Sequence, residues 1–588
     1  MSESRRKFFL FIFMGLTGVA LFFLFDRMIL GRDKFLNARY TDQQFVKLMD
    51  GLIEEGVFKI EEGRIILDEE ALGSRNLGRR KEARVKECLP FLYIEDRKIV
   101  FDKMAVSITN NTPAREDKVL RGKFVDRNGV VLAKSMVSTS GKMLDQKREY
   151  SYGPEFYPII GHWSFIYGKR NLEKEMDAYL IGKKHSPVYT KLSEAAGSVE
   201  VGDDIVLTLG SSVQRYAYNL MKGKKGAVVV LEVKTGAILA AVSTPSFDPN
   251  IKDWNRWRES FRDNLERPYE NRAFSTLYPP GSTFKTVVAS AWIEENDGDQ
   301  REKDYQVDCN GRKNQYRISD IHPHGKVDFN KAFRESCNLF FSEIGVVLGG
   351  KLLDYANRFG FNRDLDLIPG MKDYHYKSEK SLAFSWFDNK NGKSEIQAYN
   401  AIDFKRNPKI VAQGCIGQNL ITATPLQMAL IASTIANKGA LLNPFIVKEI
   451  KTGDGKKTLF SSRPVEIGRA VREATAEKLK RLMIEVMEKG TGKGVKKIYF
   501  EDGKYITTPK NKGVNSIPFA GKTGTAEVGD KNGDGIIDSN EKPHSWFIGF
   551  GPADNPKVAI AVVVENQGFG SLTAAPIAAE VLSEALNR

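Results

Sequence analysis

Hydrophobic and polar positions follow several regimes along the chain. From Phe8 to Phe25 no residue is charged, and the run sits between Arg5-Arg6-Lys7 and Asp26-Arg27. At 1.5 Å rise per residue a helix of this length is roughly 27 Å long, enough to span a hydrocarbon core. Its exit, Phe22-Phe23-Leu24-Phe25, is bulky where a cleaved leader needs small residues. The run therefore predicts an uncleaved anchor at 8–25, with the basic residues of 1–7 kept in the cytoplasm. No later segment is apolar for long enough to cross back, so the rest is expected on the far side of the membrane.

Beyond the anchor the periodicity changes. Within 26–115, Phe45, Leu48, Met49, Leu52 and Ile53 recur at helical spacing behind a capping-box pattern, Thr41-Asp42-Gln43-Gln44. Two hairpin-like stretches follow, Val57–Leu67 around Glu62-Gly63 and Leu92–Phe101 around Glu95-Asp96. This α+β unit carries no recognisable chemistry and reads as a spacer. Residues 116–202 hold Arg121–Gly129, a strand leading into an Asn-Gly turn and a second strand, Val130–Ala133. From 203 to 588 the pattern is that of a large mixed domain. Apolar strands Ala227–Val233 and Ala237–Val242 come first, then helices Thr283–Glu294, Thr424–Asn437 and Ala474–Lys489. Strands Trp546–Phe550 and Val558–Glu565 and a helix Ala574–Leu586 close it. Strands at both ends with helices between predict one sheet built from the two ends and covered by helices.

Composition narrows the picture only a little. The formal net charge is +14 over 588 residues, which fits an anionic neighbour or simply a solvated surface. No nucleic-acid module and no zinc-spaced Cys/His set occurs, so nucleic acid is not expected as a partner. Four cysteines (Cys88, Cys309, Cys337, Cys415) are too few and too scattered for a disulfide framework.

Three short motifs carry candidate chemistry. Ser282-Thr283-Phe284-Lys285 follows Pro279-Pro280-Gly281 and opens an apolar helix. Residues i and i+3 share a helix face, so the Lys285 amine can reach the Ser282 hydroxyl. Serine needs such a base, and lysine serves only where burial or another cation lowers its pKa. Two other S-x-x-K matches, at Ser4 and Ser539, lie in the amino-terminal tail and in a turn-rich loop. Ser336-Cys337-Asn338 could supply a proton-relaying hydroxyl and an amide for a peptide substrate; Asn338 alone would read as a helix-end hydrogen bond. Lys522-Thr523-Gly524-Thr525 lies in a strand of small residues, where Gly524 lets a helix approach and the cation and hydroxyls can bind a carboxylate. The other K-T-G matches, at Lys234 and Lys451, fall in hairpin turns.

In this order the three sets resemble the motifs of penicillin-binding proteins and serine β-lactamases. Arg121–Gly129, Leu231–Ala241, Ser246–Asn250, Asn271-Arg272-Ala273, Gly417-Gln418, Thr424–Met428 and Gly490-Thr491-Gly492 are similar to class B penicillin-binding proteins, the monofunctional peptidoglycan DD-transpeptidases. The resemblance spans roughly residues 116–588. It implies a transpeptidase domain with a central antiparallel sheet and helices, on an elongated amino-terminal pedestal. It implies acylation of Ser282 by a D-Ala-D-Ala stem peptide, Lys285 as general base, and Ser336 passing a proton to the leaving group. Asn338 would hold the donor peptide, Lys522 and Thr523 the terminal carboxylate, and the Ser282 and Thr525 N–H groups the oxyanion. No cofactor is required on this reading; β-lactams would acylate the same serine, and a multi-spanning SEDS-type glycan polymerase would be the partner.

Two stretches depart from that pattern. The spacer before Arg121–Gly129, which resembles the family's linker motif, is long. Directly after the third motif, Asp530–Glu541 fits a twelve-residue calcium loop with oxygens from Asp530, Asn532, Asp534, the Ile536 carbonyl, Asp538 and Glu541. The competing reading is a hairpin tip with scattered acids, and Pro543 opposes a following helix. Any calcium there would be structural. His322-Pro323-His324-Gly325 reads as a turn and Cys337 as a small packed residue. The rival functions are a β-lactamase or β-lactam sensor, a bifunctional enzyme with a glycosyltransferase, and an inactive scaffold. The first lacks an E-x-x-L-N glutamate, the second lacks room in residues 26–202, and the third has no use for intact motifs.

Overall fold

In a computed structural model of the chain, described residues run from 43 to 587 except 62–63, 76–91, 96–97, 102–118, 139–144, 165–167, 184–199, 252–265, 298–303, 372–373, 375, 385–403, 512 and 529–540. The apolar run 8–25 and nearly all of the calcium-loop pattern lie outside these residues. Among the described residues no helix is long and apolar enough to cross a membrane. Two units form, residues 1–116 with 163–169 and 253–255, and the remainder.

The first unit contains the helix Gln43–Glu54 and the hairpins Phe58–Glu61/Arg64–Leu67 and Leu92–Glu95/Lys98–Phe101. Met49, Leu52, Val57, Phe58 and Leu72 are buried in it. Asp68 caps the short helix Glu69–Gly73 by accepting from the Ala71 N–H.

The second unit is organised by two sheets. The larger in chain span has six strands, ordered 458–461, 447–451, 204–207, 124–125, 131–138 and 145–150. Asp204–Leu207 pairs parallel with Phe124–Val125 on one side and antiparallel with Val447–Lys451 on the other. One sheet thus joins the Arg121–Gly129 motif to strands more than three hundred residues later. Asp126 makes the motif's turn: its buried carboxylate accepts from the N–H groups of Asn128, Val130 and Ser211. Arg121 of the motif enters a buried ion network in which Glu173 accepts from Arg121 and from Arg148 at 2.7 Å each, while Arg121 also reaches Asp177 at 2.6 Å.

The second sheet is antiparallel and carries the candidate chemistry. Its strands are β1 (Gly226–Glu232), β2 (Ile238–Thr244), β3 (Ala520–Ala526), β4 (His544–Gly551) and β5 (Val558–Val564), in spatial order β2-β1-β5-β4-β3. The middle strand is therefore the last in sequence, and the sheet closes the two ends of the domain onto each other. The β1, β2 and β5 segments are buried along nearly their whole length, because helices cover both faces; continuous apolar runs replace alternation. The helices that matter for the site are α1 (Lys285–Glu295), α2 (Asn338–Leu348), α3 (Pro425–Ala436), α4 (Glu473–Lys489) and α5 (Ala574–Leu586). In α3 every residue is buried, each large apolar side chain contributing about 1.5–3 kcal/mol on leaving water.

Candidate active site

Ser282 sits in a single tight turn, Gly281–Phe284, immediately before α1. Gly281 adopts φ 54° and its N–H donates to the Gly417 carbonyl at 3.0 Å. Thr283 closes the turn by donating from its hydroxyl to the Pro280 carbonyl at 2.6 Å. The turn abuts β3 so closely that a Cβ at Gly281 would lie 2.5 Å from the Thr525 carbonyl, and one at Gly524 would lie 2.8 Å from the Thr283 methyl. Ser282 itself is half-buried, at the edge of a cleft between α1, β3 and the turn before α2.

Lys285, one turn along, is completely buried. Its ammonium donates to the Ser336 carbonyl at 2.5 Å, to Asn338 Oδ1 at 2.7 Å and to Ser336 Oγ at 3.3 Å. Lys522, also completely buried on β3, donates to the same Ser336 Oγ at 2.9 Å and to the Thr523 carbonyl at 3.1 Å. The three motifs therefore converge, and the point of convergence is the hydroxyl of Ser336. Among the described residues no hydrogen bond joins Lys285 to Ser282, although spacing alone suggests that pairing. Ser336 has φ 59°, a left-handed conformation held by the Ser336 N–H on the Phe333 carbonyl and the Cys337 N–H on the Ala332 carbonyl.

The electrostatics follow from burial. Desolvation pulls the Lys285 ammonium down from the usual lysine value to about 8, against the opposing pull of the Asp320 carboxylate. Desolvation and then the charge of Lys285 hold Lys522 well below the lysine range. One of two neighbouring amines is thus easily left neutral, which a proton acceptor requires.

Sequence reasoning missed Asp320. Its Oδ1 accepts from the Asn338 N–H at 2.7 Å, and its Oδ2 from the Leu339 N–H at 3.0 Å and from the Cys337 thiol at 3.2 Å. Burial raises its pKa, but Lys285 and the two backbone donors outweigh burial and hold the carboxyl low. It sits at the amino-terminal end of α2, where a negative charge is favoured. Nothing short-range in the sequence marks it, since it precedes Asn338 by eighteen residues. Thr491 was visible only as part of a Gly-Thr-Gly match; its hydroxyl lies 2.6 Å from that of Thr523.

Metal-type ligands also gather here. Cys309, Asp320, His324 and Cys337 bring one ligand atom each to within 4.8 Å of one another, although His324 reads as part of a turn and Cys337 as a packing residue. Of the calcium pattern, Asp530, Asn532, Asp534, Ile536 and Asp538 lie outside the described residues, and Glu541 is buried.

Residues 226–583 match the penicillin binding protein transpeptidase domain, and residues 121–205 match a penicillin binding protein A dimerisation domain. A peptidoglycan D,D-transpeptidase PbpA of Mycolicibacterium smegmatis is 29% identical over 501 residues, 80% of this chain and 91% of that one. A peptidoglycan D,D-transpeptidase MrdA of Haemophilus influenzae is 30% identical over 66% of this chain and 57% of its own. Among solved structures, penicillin-binding protein A from M. tuberculosis as a penicillin G acyl-enzyme aligns with TM-score 0.63 and 27% identity over 79% of this chain and 99% of that one. A D,D-transpeptidase domain from Eggerthella lenta gives TM-score 0.63 and 28% identity over 80% and 98%. With a family domain covering most of its length and the three motifs meeting in one cleft, the chain belongs to the penicillin-binding transpeptidases, class B.

Proposed function

We propose that this enzyme cross-links peptidoglycan stem peptides through an acyl-enzyme on Ser282. The observation that carries the reading is the shared hydrogen bonding of two buried lysines at Ser336, one turn of α1 from Ser282. Lys285, neutral above about pH 8, takes the Ser282 proton as the hydroxyl attacks the penultimate D-Ala carbonyl. Ser336, held between both amines, relays that proton to the departing D-Ala. Asn338 presents its amide to the donor peptide. Lys522 suits the terminal carboxylate: burial and then the charge of Lys285 hold its pKa well below the lysine range, and an arriving anion favours its charged form. Thr523 adds a hydroxyl to that carboxylate, Gly524 keeps β3 against the serine turn, and the N–H groups of Ser282 and Thr525 receive the oxyanion. An amine of a second strand then takes the acyl group, and a β-lactam stops at the first step.

The finer parts of the reading concern placement. Residues 8–25 anchor the chain with its amino terminus in the cytoplasm, residues 26–115 form a spacer, residues 116–202 form the linker and pedestal domain, and a SEDS-type glycan polymerase is the partner. Asp530–Glu541 holds a structural calcium ion at the rim, which calorimetric titration of the purified chain at millimolar calcium would overturn by showing no binding.

The activity is tested by labelling membranes with fluorescent penicillin, wild type against Ser282→Ala. Stable labelling that the variant loses is the expected result. Rapid deacylation would assign a lactamase instead, and no labelling of the wild type would assign a scaffold.

A further inference from the structure

We infer that Trp546 is a positioning residue for Ser282: its indole N–H, donated to the Pro279 carbonyl, fixes the serine turn against the strand that carries Lys522 and Thr525. Donor and acceptor stand 3.0 Å apart, and Trp546 is completely buried. It lies on β4 directly opposite Gly524 of β3, so both positions face the same side of the sheet. Gly524 has no side chain, and the tryptophan and the serine turn crowd into the room this leaves. A Cβ at Gly524 would stand 3.0 Å from Trp546 Cβ, 3.1 Å from the Pro280 carbonyl and 2.8 Å from the Thr283 methyl. One side chain thus packs beside β3 and holds the turn.

The residues before Ser282 create the need for such a donor. Tyr278 still pairs as in a ladder, its N–H donating to the Ala423 carbonyl at 3.0 Å and its carbonyl accepting from the Ala423 N–H at 2.8 Å. Pro279 and Pro280 then have no N–H to offer, so that pairing cannot continue into the turn. Side chains meet their carbonyls instead, Pro279 by the Trp546 indole and Pro280 by the Thr283 hydroxyl at 2.6 Å. The Thr283 bond is internal to the turn and moves with it, whereas the indole bond runs from the turn to the sheet. Upstream, the Tyr278 hydroxyl donates to Glu565 Oε1 at 2.8 Å, just past β5, and the Tyr278 ring stands edge-on to Trp546 with centroids 6.0 Å apart. Arg272 donates to the same Oε1 at 3.2 Å. These contacts brace the approach to the proline pair, and the indole acts closer to the serine.

The inference rests on the reading of Ser282 as the acylated serine. On that reading the oxyanion is received by the N–H groups of Ser282 and Thr525, one from the turn and one from β3, so its stabilisation depends on the gap between two elements. A turn that shifts slightly keeps its internal hydrogen bonds but splays those two donors. The loss then falls on the tetrahedral transition state and not on the first encounter with the substrate. Trp546 touches no reacting atom in this scheme and acts only through the placement of Ser282. Local sequence does not announce the role, since Trp546 reads simply as the first residue of a core strand.

The test replaces Trp546 in the purified full chain in two ways: by Trp546→Phe, and by the benzothienyl analogue of tryptophan, which keeps the ring's size but carries sulfur in place of the N–H. Stopped-flow acylation by fluorescent penicillin separates the acylation rate constant from the dissociation constant of the encounter complex. In both variants the rate constant should fall about tenfold while the encounter constant stays at its wild-type value. A boronic acid that forms a tetrahedral adduct on Ser282 should lose affinity by the same factor. The analogue should melt at the wild-type temperature, so a folding defect in Trp546→Phe leaves the analogue to decide. Tyr278→Phe, acting farther from the serine, should slow acylation less than Trp546→Phe. An analogue that acylates at the wild-type rate overturns the proposal, and so does a loss confined to the encounter constant or an unchanged affinity for the boronic acid. A wild type that labels on Ser282 with an indifferent Trp546 sinks the positioning role alone. A wild type whose labelling survives Ser282→Ala sinks the reading beneath it.

Discussion

Lys285 shows how a single side chain sets the chemistry through burial. An exposed lysine would stay charged until above pH 10, whereas this one titrates near 8. If its neutral form is the base, the rate of penicillin acylation should climb as pH rises from 6 and level off above about 8, in stopped-flow measurements on the purified chain. A flat profile would remove Lys285 from the proton path. The same depression has a linkage consequence: between about 8 and the unfolded lysine value near 10.5 the unfolded state binds more protons, so this group's penalty on folding fades as pH rises through that window. The identity of this residue is legible in sequence from its place three after Ser282 on an apolar helix. Its partners are not, because Ser336 and Asn338 arrive from another element and helical spacing says nothing of them. Thr491 makes the same point. Its hydroxyl stands 2.6 Å from that of Thr523 and orients it, the hydroxyl that the proposed mechanism offers to the carboxylate. Thr491→Val should cost about 1 kcal/mol, a roughly fivefold slower acylation, with Thr491→Ser restoring most of it.

Some elements around the cleft meet backbone to backbone. The serine turn lies against Gly417 so tightly that a Cβ there would stand 2.0 Å from the Gly281 carbonyl, and Gly417 itself has φ 75°. Gly417→Ala combines a left-handed strain with a backbone collision that no rotamer relieves. Loss of penicillin labelling is expected along with a stability decrease of about 2 kcal/mol or more, read by denaturant titration. Labelling at wild-type rate would show that the turn can shift without consequence. Element types were easy to foresee here. Hydrophobic runs of six or seven residues bounded by turns announced β1, β2 and β5, and the last helix, Ala574–Leu586, was foreseen to the residue. The reason for Gly417-Gln418 was not, since sequence preserves the glycine but not the neighbour that excludes a side chain. The hairpin that carries Cys309 and the loop that carries Asp320 were also missed, being short, polar and devoid of periodicity.

At the scale of the transpeptidase-bearing unit, long-range pairing decides what one can read in advance. A sheet from the two chain ends follows from where the apolar strands lie. The six-stranded sheet does not, because nothing local in Val447–Lys451 and Thr458–Ser461 announces that the first pairs with Asp204–Leu207 and the second with the first. That sheet ties the motif at Arg121–Gly129 to strands of the transpeptidase region. The buried carboxylate of Glu173 is its electrostatic keystone: burial pushes its pKa up, yet Arg148 and Arg121 outweigh burial and hold it below the usual glutamate value. A depressed carboxylate stabilises the fold above its unfolded pKa and loses that contribution as pH falls through the folded value, so acid should weaken this unit. Glu173→Gln strips the charge and leaves two guanidinium groups facing a neutral amide, a loss of about 3–5 kcal/mol when a buried pair is broken. The variant should melt well below the wild type at pH 7, and its stability should depend less on pH as pH falls below the ordinary glutamate value. Penicillin labelling should disappear over the same temperature range as the secondary structure, because the six-stranded sheet hydrogen-bonds strands from residues 124–207 to Val447–Lys451 of the transpeptidase region. If labelling outlasted the first melting transition, residues 121–205 and the cleft would be separate folding units and the shared sheet only a contact between them.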